Sequence, residues 1–145
     1  MAARDSPELM RKLSGIITFL PSFQATDFEF GRWVQPQSDE PGVITLPHFS
    51  LSDLAESFVQ KAYELGWVMP DFDWGTWKET PEAQSLRDDD QTLSKATPEQ
   101  LACLLTVCIR QDRFSEGELE AAFRSGLLTR ILERAVVILG EMNGQ

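Results

Sequence analysis

Two cysteines and one histidine in 145 residues exclude several kinds of chemistry at once. A disulfide framework needs more thiols, and a closed Cys/His zinc site needs more ligands. No apolar run approaches the roughly 18 residues of a membrane-spanning helix. Asp5, Glu8, Arg11 and Lys12 interrupt the first twenty residues, so no apolar signal-peptide core is expected there. There is no glycine-rich phosphate loop, no G-x-S-x-G elbow and no H-E-x-x-H pair of zinc ligands. The chain also lacks internal repeats, low-complexity tracts and an interdomain linker. Its length suits one compact domain over residues 1–145. With 42% hydrophobic and 25% charged residues, that domain is expected to fold and to be cytoplasmic.

What the chain has in excess is negative charge, and it is unevenly placed. The net charge is −10. Residues 27–90 carry fourteen acids against Arg32, Lys61, Lys78 and Arg87, so this middle stretch alone accounts for −10. It also holds ten of the fourteen aromatic residues, including Trp33, Trp67, Trp74 and Trp77. Such a field repels nucleic-acid phosphate and anionic membranes and attracts basic proteins.

The hydrophobic pattern predicts a mainly α fold of about five helices, with a small β-hairpin between the first and second. The first helix starts at Ser6-Pro7, carries Leu9, Leu13, Ile16, Ile17 and Leu20 on one stripe, and ends at Pro21. Phe28-Glu29-Phe30 and Arg32-Trp33-Val34 flank Gly31, a strand pattern with a close backbone approach at the glycine. Residues 35–42 read as a loop, and Val43 to Leu46 as the second strand, stopped by Pro47. The second helix opens near Ser50 or Ser52, buries Leu54, Ala55, Phe58, Val59, Ala62 and Leu65, and stops at Gly66. Residues 67–90 show no sustained period, apart from a short helix around 82–86. Thr97-Pro98-Glu99-Gln100 is a capping box that opens the third helix, with Leu101, Leu104, Leu105, Cys108 and Ile109 inward. A second box, Ser115 with Glu118, predicts the fourth helix. The fifth spans about 127–142, with Leu128, Ile131, Leu132, Ala135 and Leu139 inward. Its turn Val136-Val137-Ile138 is apolar nearly all round, which implies burial in a central position or in a homodimer.

The chemistry candidates are few. Cys103 and Cys108 diverge by about 140° on one helix, so they cannot act as a local pair. His48 has no evident partner. Asp71 and Asp73 offer oxygen ligands, but the loop lacks the remaining positions of a calcium site, and no metal or cofactor is expected. Trp74 and Trp77 beside Asp71 and Asp73 form a possible cation-binding group, with one indole buried and the other reachable by solvent. Arg110 and Arg113, at the corner between the third and fourth helices, could hold an anion. The same corner position makes Arg113 a candidate structural anchor.

That corner also carries a resemblance. Asp112-Arg113-Phe114-x-Glu116-Gly117, Ala122-Phe123-x-x-Gly126 and Ile131-Leu132-x-Arg134 together resemble a bacterial family described as domain of unknown function 6508. Leu20-Pro21-x-Phe23 and the short extended region ending near Pro47 fit it as well. The stretch from Trp67 to Trp77 departs from the family pattern. The resemblance implies a single intracellular domain and brings no activity, substrate or catalytic residue.

Two functions from different classes follow. One is a non-enzymatic acidic interaction protein, of inhibitor or immunity type, facing a basic protein partner. The other is a small-ligand-binding domain with its site at the corner of Arg110 and Arg113. Catalysis by Asp or Glu ranks behind both, because no nucleophile–base pattern is present.

Overall fold

The computed structural model describes residues 6–35, 41–42 and 46–144. Helix α1 (Ser6–Ile16) passes through a 3-10 turn, Ile17–Phe19, into α2 (Leu20–Gln24). A two-stranded antiparallel ribbon follows, β1 (Gly31–Val34) and β2 (His48–Leu51). Helix α3 (Asp53–Glu64) precedes three short helices, α4 (Trp74–Trp77), α5 (Pro81–Asp88) and α6 (Asp90–Leu93). The long α7 (Pro98–Asp112), then α8 (Glu118–Arg124) and α9 (Leu127–Asn143), complete the described chain.

The helical stripes form one core. Leu13, Ile16, Phe58, Ala62, Leu101, Leu104, Leu105, Ile131 and Leu132 are all buried in it. Helix α9 touches α1, α2, α6, α7 and α8, so it ties both ends of the chain together. The capping box at Thr97 forms in full: Gln100 N–H donates to Thr97 Oγ1 (3.1 Å), and Thr97 N–H donates to Gln100 Oε1 (2.9 Å). Helix α3 ends as the glycine predicts. Gly66 adopts φ +84°, Trp67 N–H reaches Ala62 O (2.9 Å), and Gly66 N–H reaches Tyr63 O (3.1 Å).

Several expectations are corrected. Pro21 does not end the first helical segment; it stands in the first turn of α2, where its missing N–H has no helical partner to lose. The second strand is His48–Leu51 rather than the stretch stopped by Pro47, whose residues 43–45 lie outside the described residues. So does most of the expected loop, at 36–40. The register puts Trp33 opposite Phe49, and their rings pack edge to face at 5.4 Å. That aromatic pair is a stabilising cross-strand contact. Gly31 is needed for it, since a Cβ there would stand 2.5 Å from both the Phe49 ring and Ser50 O. Residues 67–90, where the sequence predicts only a short helix around 82–86, form α4 and α6 as well as that helix, α5, and all three are opened by side-chain caps from Asp73, Thr80 and Asp89. Part of the acidic middle is therefore helix capping. Ile138 of the apolar turn in α9 is buried in the core, whereas Val136 and Val137 are 41% and 49% exposed, so the described residues cover that turn on one side only.

One buried polar residue fixes the path after α3. The Thr106 hydroxyl, fully buried on α7, donates to Ala102 O (2.7 Å) and lies 3.2 Å from Trp67 O. It accepts from Met69 N–H (3.1 Å). Trp67 beside it is buried, and its indole N–H donates to Lys12 O (3.1 Å). Thr106→Val keeps the shape but leaves Met69 N–H without its acceptor. A loss of about 1–2 kcal/mol is expected, read as a lower urea midpoint at unchanged slope.

Candidate functional site

The turn from α7 to α8 is held at three points. Asp112, the last residue of α7, accepts through Oδ1 from Gly117 N–H and Leu119 N–H, each at 3.1 Å. It supplies the first turn of α8 with the acceptor that this helix needs, because its N-cap is Gly117, which has no side chain to offer. The Ser115–Glu118 capping box does not form. Ser115 Oγ instead lies 3.4 Å from Glu118 Oε1. Gly117 adopts φ +94°. A Cβ there would also sit 2.9 Å from Trp33 Cζ2, so the glycine lets the indole lie against the backbone. Glu116 Oε1 accepts from Phe49 N–H (3.1 Å), which clamps β2 to the turn.

Of the motif Asp112-Arg113-Phe114-x-Glu116-Gly117, then, three residues shape the turn and two are displayed by it. Arg113 is exposed, and among the described residues its side chain has no ion pair or hydrogen bond. The anchoring role expected of Arg113 belongs to Asp112. Phe114 is 77% exposed. Its ring lies 6.0 Å from that of Trp74, and Trp33, 53% exposed, covers the other end of the turn. Trp33, Phe49, Phe114 and Trp74 thus surround one hydrogen-bonded turn.

The residues singled out in the sequence divide around this turn. Trp74 joins the group through Phe114. Trp77 leans instead on Phe72 (5.8 Å) and the core, so both indoles are half-buried rather than one buried and one open. Asp73 caps α4, with Oδ1 accepting from Thr76 N–H (3.2 Å) and Oδ2 from Thr76 Oγ1 (2.8 Å). Asp71 is exposed beside it, and Arg110 is half-buried near the end of α7. Sequence reasoning missed Trp33, Phe49, Phe114 and Glu116. The available signal was Phe114 itself, a large apolar residue inside a wholly polar run.

A separate cleft of about 680 Å³ opens where α5, α7, α8 and α9 meet. Arg87, Cys108, Gln111, Glu118, Ala122 and Arg130 are among its lining residues, whereas Arg110 and Arg113 are not. Burial pushes the Cys108 thiol up to about 12, against the opposing pull of the Arg87 guanidinium. Cys103 rises to about 11, through partial burial and then the carboxylates of Glu82 and Glu99. Both thiols stay protonated at neutral pH, which is the behaviour of packing residues rather than nucleophiles. His48 is exposed at the start of β2. Among the described residues no three His, Cys, Asp or Glu side chains converge, and no helix is long and apolar enough to cross a membrane.

A family model described as a family of unknown function, DUF6508, matches residues 9–141. No curated protein and no solved structure matches the chain.

Proposed function

For a chain that belongs to the family of unknown function DUF6508, we propose a non-enzymatic role: holding a basic, partly apolar segment of another protein against the aromatic turn, as an inhibitor or immunity protein would. The observation that carries this reading is Phe114, exposed on a turn that Asp112, Gly117 and Glu116 hold by hydrogen bonds. An exposed aromatic on a pre-ordered frame costs little conformational entropy to bind, and such residues anchor interfaces. Asp73 at the start of the helix that carries Trp74 and Glu116 on the Phe49 N–H put carboxylates beside the rings, and the net charge of −10 favours a cationic partner. The two raised thiols support binding over nucleophilic catalysis.

The test uses an amphipathic helical peptide of leucine and lysine, with tryptophan emission as the readout. Binding is expected to weaken as salt rises, because the attraction is screened. Phe114→Ala is expected to reduce affinity by about tenfold or more, and the glutamate-for-lysine peptide not to bind. Salt-independent binding, or an unchanged affinity in Phe114→Ala, would overturn the reading.

A further inference from the structure

The cleft between α5, α7, α8 and α9 contains none of the rings around the turn. Its volume, about 680 Å³, falls within the ordinary range of small-molecule sites. Its two arginines differ in what they already do. Arg130 is committed: Nε donates to Gly126 O (3.3 Å), Nη1 pairs with Asp90, and Nη2 reaches Arg87 O (3.5 Å). Arg87 has one contact, Nη2 to Lys78 O (3.2 Å), which orients the guanidinium. Among the described residues its other donors meet no acceptor.

Glu118 stands at the same cleft, and among the described residues its one side-chain hydrogen bond is the long one from Ser115 Oγ (3.4 Å). Arg87 from α5 and Glu118 from the first turn of α8 line the cleft together with Cys108, and they act on its thiol in opposite senses, Arg87 lowering its pKa and Glu118 raising it. Around that thiol the floor is apolar, with Val107 and Leu127 buried. The lining also carries Asp88, Asp90 and Arg130, of which Asp90 and Arg130 neutralise each other as a pair. A simple anion would meet Arg87 but be repelled by Glu118 and Asp88, and a simple cation would meet the reverse. A ligand bearing both signs satisfies both groups.

We propose that this cleft binds a small zwitterion of the aliphatic amino-acid class, its carboxylate on Arg87, its ammonium on Glu118 and its side chain over Val107, Cys108 and Leu127. Arg130 acts as a positioning residue, since it holds the Arg87 backbone against α9.

Calorimetric titration with leucine, 4-methylpentanoate and 3-methylbutylamine tests this. The two analogues lack the ammonium and the carboxylate respectively. Leucine is expected to bind about tenfold or more tightly than either, because each lost charge leaves a protein group unpaired. Arg87→Gln is expected to lose about tenfold for leucine while the amine is unaffected. Glu118→Gln is expected to lose a similar factor for leucine while 4-methylpentanoate is unaffected. Should Arg87→Gln fail to fold, Glu118→Gln and the cleft-filling Ala121→Leu carry the same comparison. No leucine binding, or equal binding of all three compounds, would overturn the proposal. The titrations contain no peptide, so their failure leaves the reading of the aromatic turn standing.

Discussion

Phe23→Ala is expected to destabilise the protein by about 3–5 kcal/mol, the largest effect of any single substitution considered. Phe23 sits among five other phenylalanine rings. Phe58 is 5.1 Å away, Phe123 5.3 Å, Phe28 5.6 Å, Phe30 5.9 Å and Phe19 6.4 Å. These rings come from α2, the entry to β1, α3, α8 and the 3-10 turn. Truncation therefore opens a cavity that no one element can close by shifting. A domain of this size holds roughly 5–15 kcal/mol in all, so the loss is a large share of it. Urea unfolding followed by far-UV circular dichroism measures it. A loss under about 1 kcal/mol would mean that the cluster repacks and is not the centre of the fold.

Asp112→Ala is expected to cost about 2–3 kcal/mol, since it removes a carboxylate that accepts from two backbone N–H groups. The neighbouring Arg113→Ala, exposed, is expected to stay within about 0.5 kcal/mol. The contrast separates a shaping residue from a displayed one within a single motif. Asp112→Ala should also weaken the leucine–lysine peptide, because the turn that presents Phe114 loses its frame. Asp112→Asn, which keeps one carbonyl acceptor, should restore part of both. Equal melting temperatures for Asp112→Ala and wild type would show that Gly117 and Glu116 suffice to hold the turn.

The helices were legible where apolar spacing was regular. Leu13 and Ile16, Ala55 and Phe58, and Leu128 to Ala135 fall on the faces their spacing assigns, because burial follows the 3.6-residue period. On α7 the expected stripe is buried, but so are Ala102, Thr106 and Val107 outside it, because neighbours cover this helix on more than one side. The Thr97–Gln100 box and the Gly66 stop were equally readable, since both act through local backbone bonds. Of the helices in residues 67–90 only α5 was legible, around 82–86, because each is too short for a sustained period to show. Their starts rest on single caps at Asp73, Thr80 and Asp89, and the acids among these look like ligands when read as composition.

The corner was the harder case. Its residues Asp112 to Gly117 stood out in the sequence as a motif, yet which of them shape the turn and which face outward depends on contacts remote in the chain. Glu116 works on Phe49, and Gly117 makes way for Trp33. Arg87 and Glu118 likewise meet around Cys108 only because α5, α7 and α8 converge there. By itself the sequence determined the helical class, the family resemblance, the acidic field and the apolar faces, since each is a property of composition or of neighbours within one helical turn. Tertiary structure alone decided the strand partner, the anchor of the corner, the aromatic surface and the cleft. Those depend on which side chains of distant segments are brought within hydrogen-bond or van der Waals reach, and no local spacing records that.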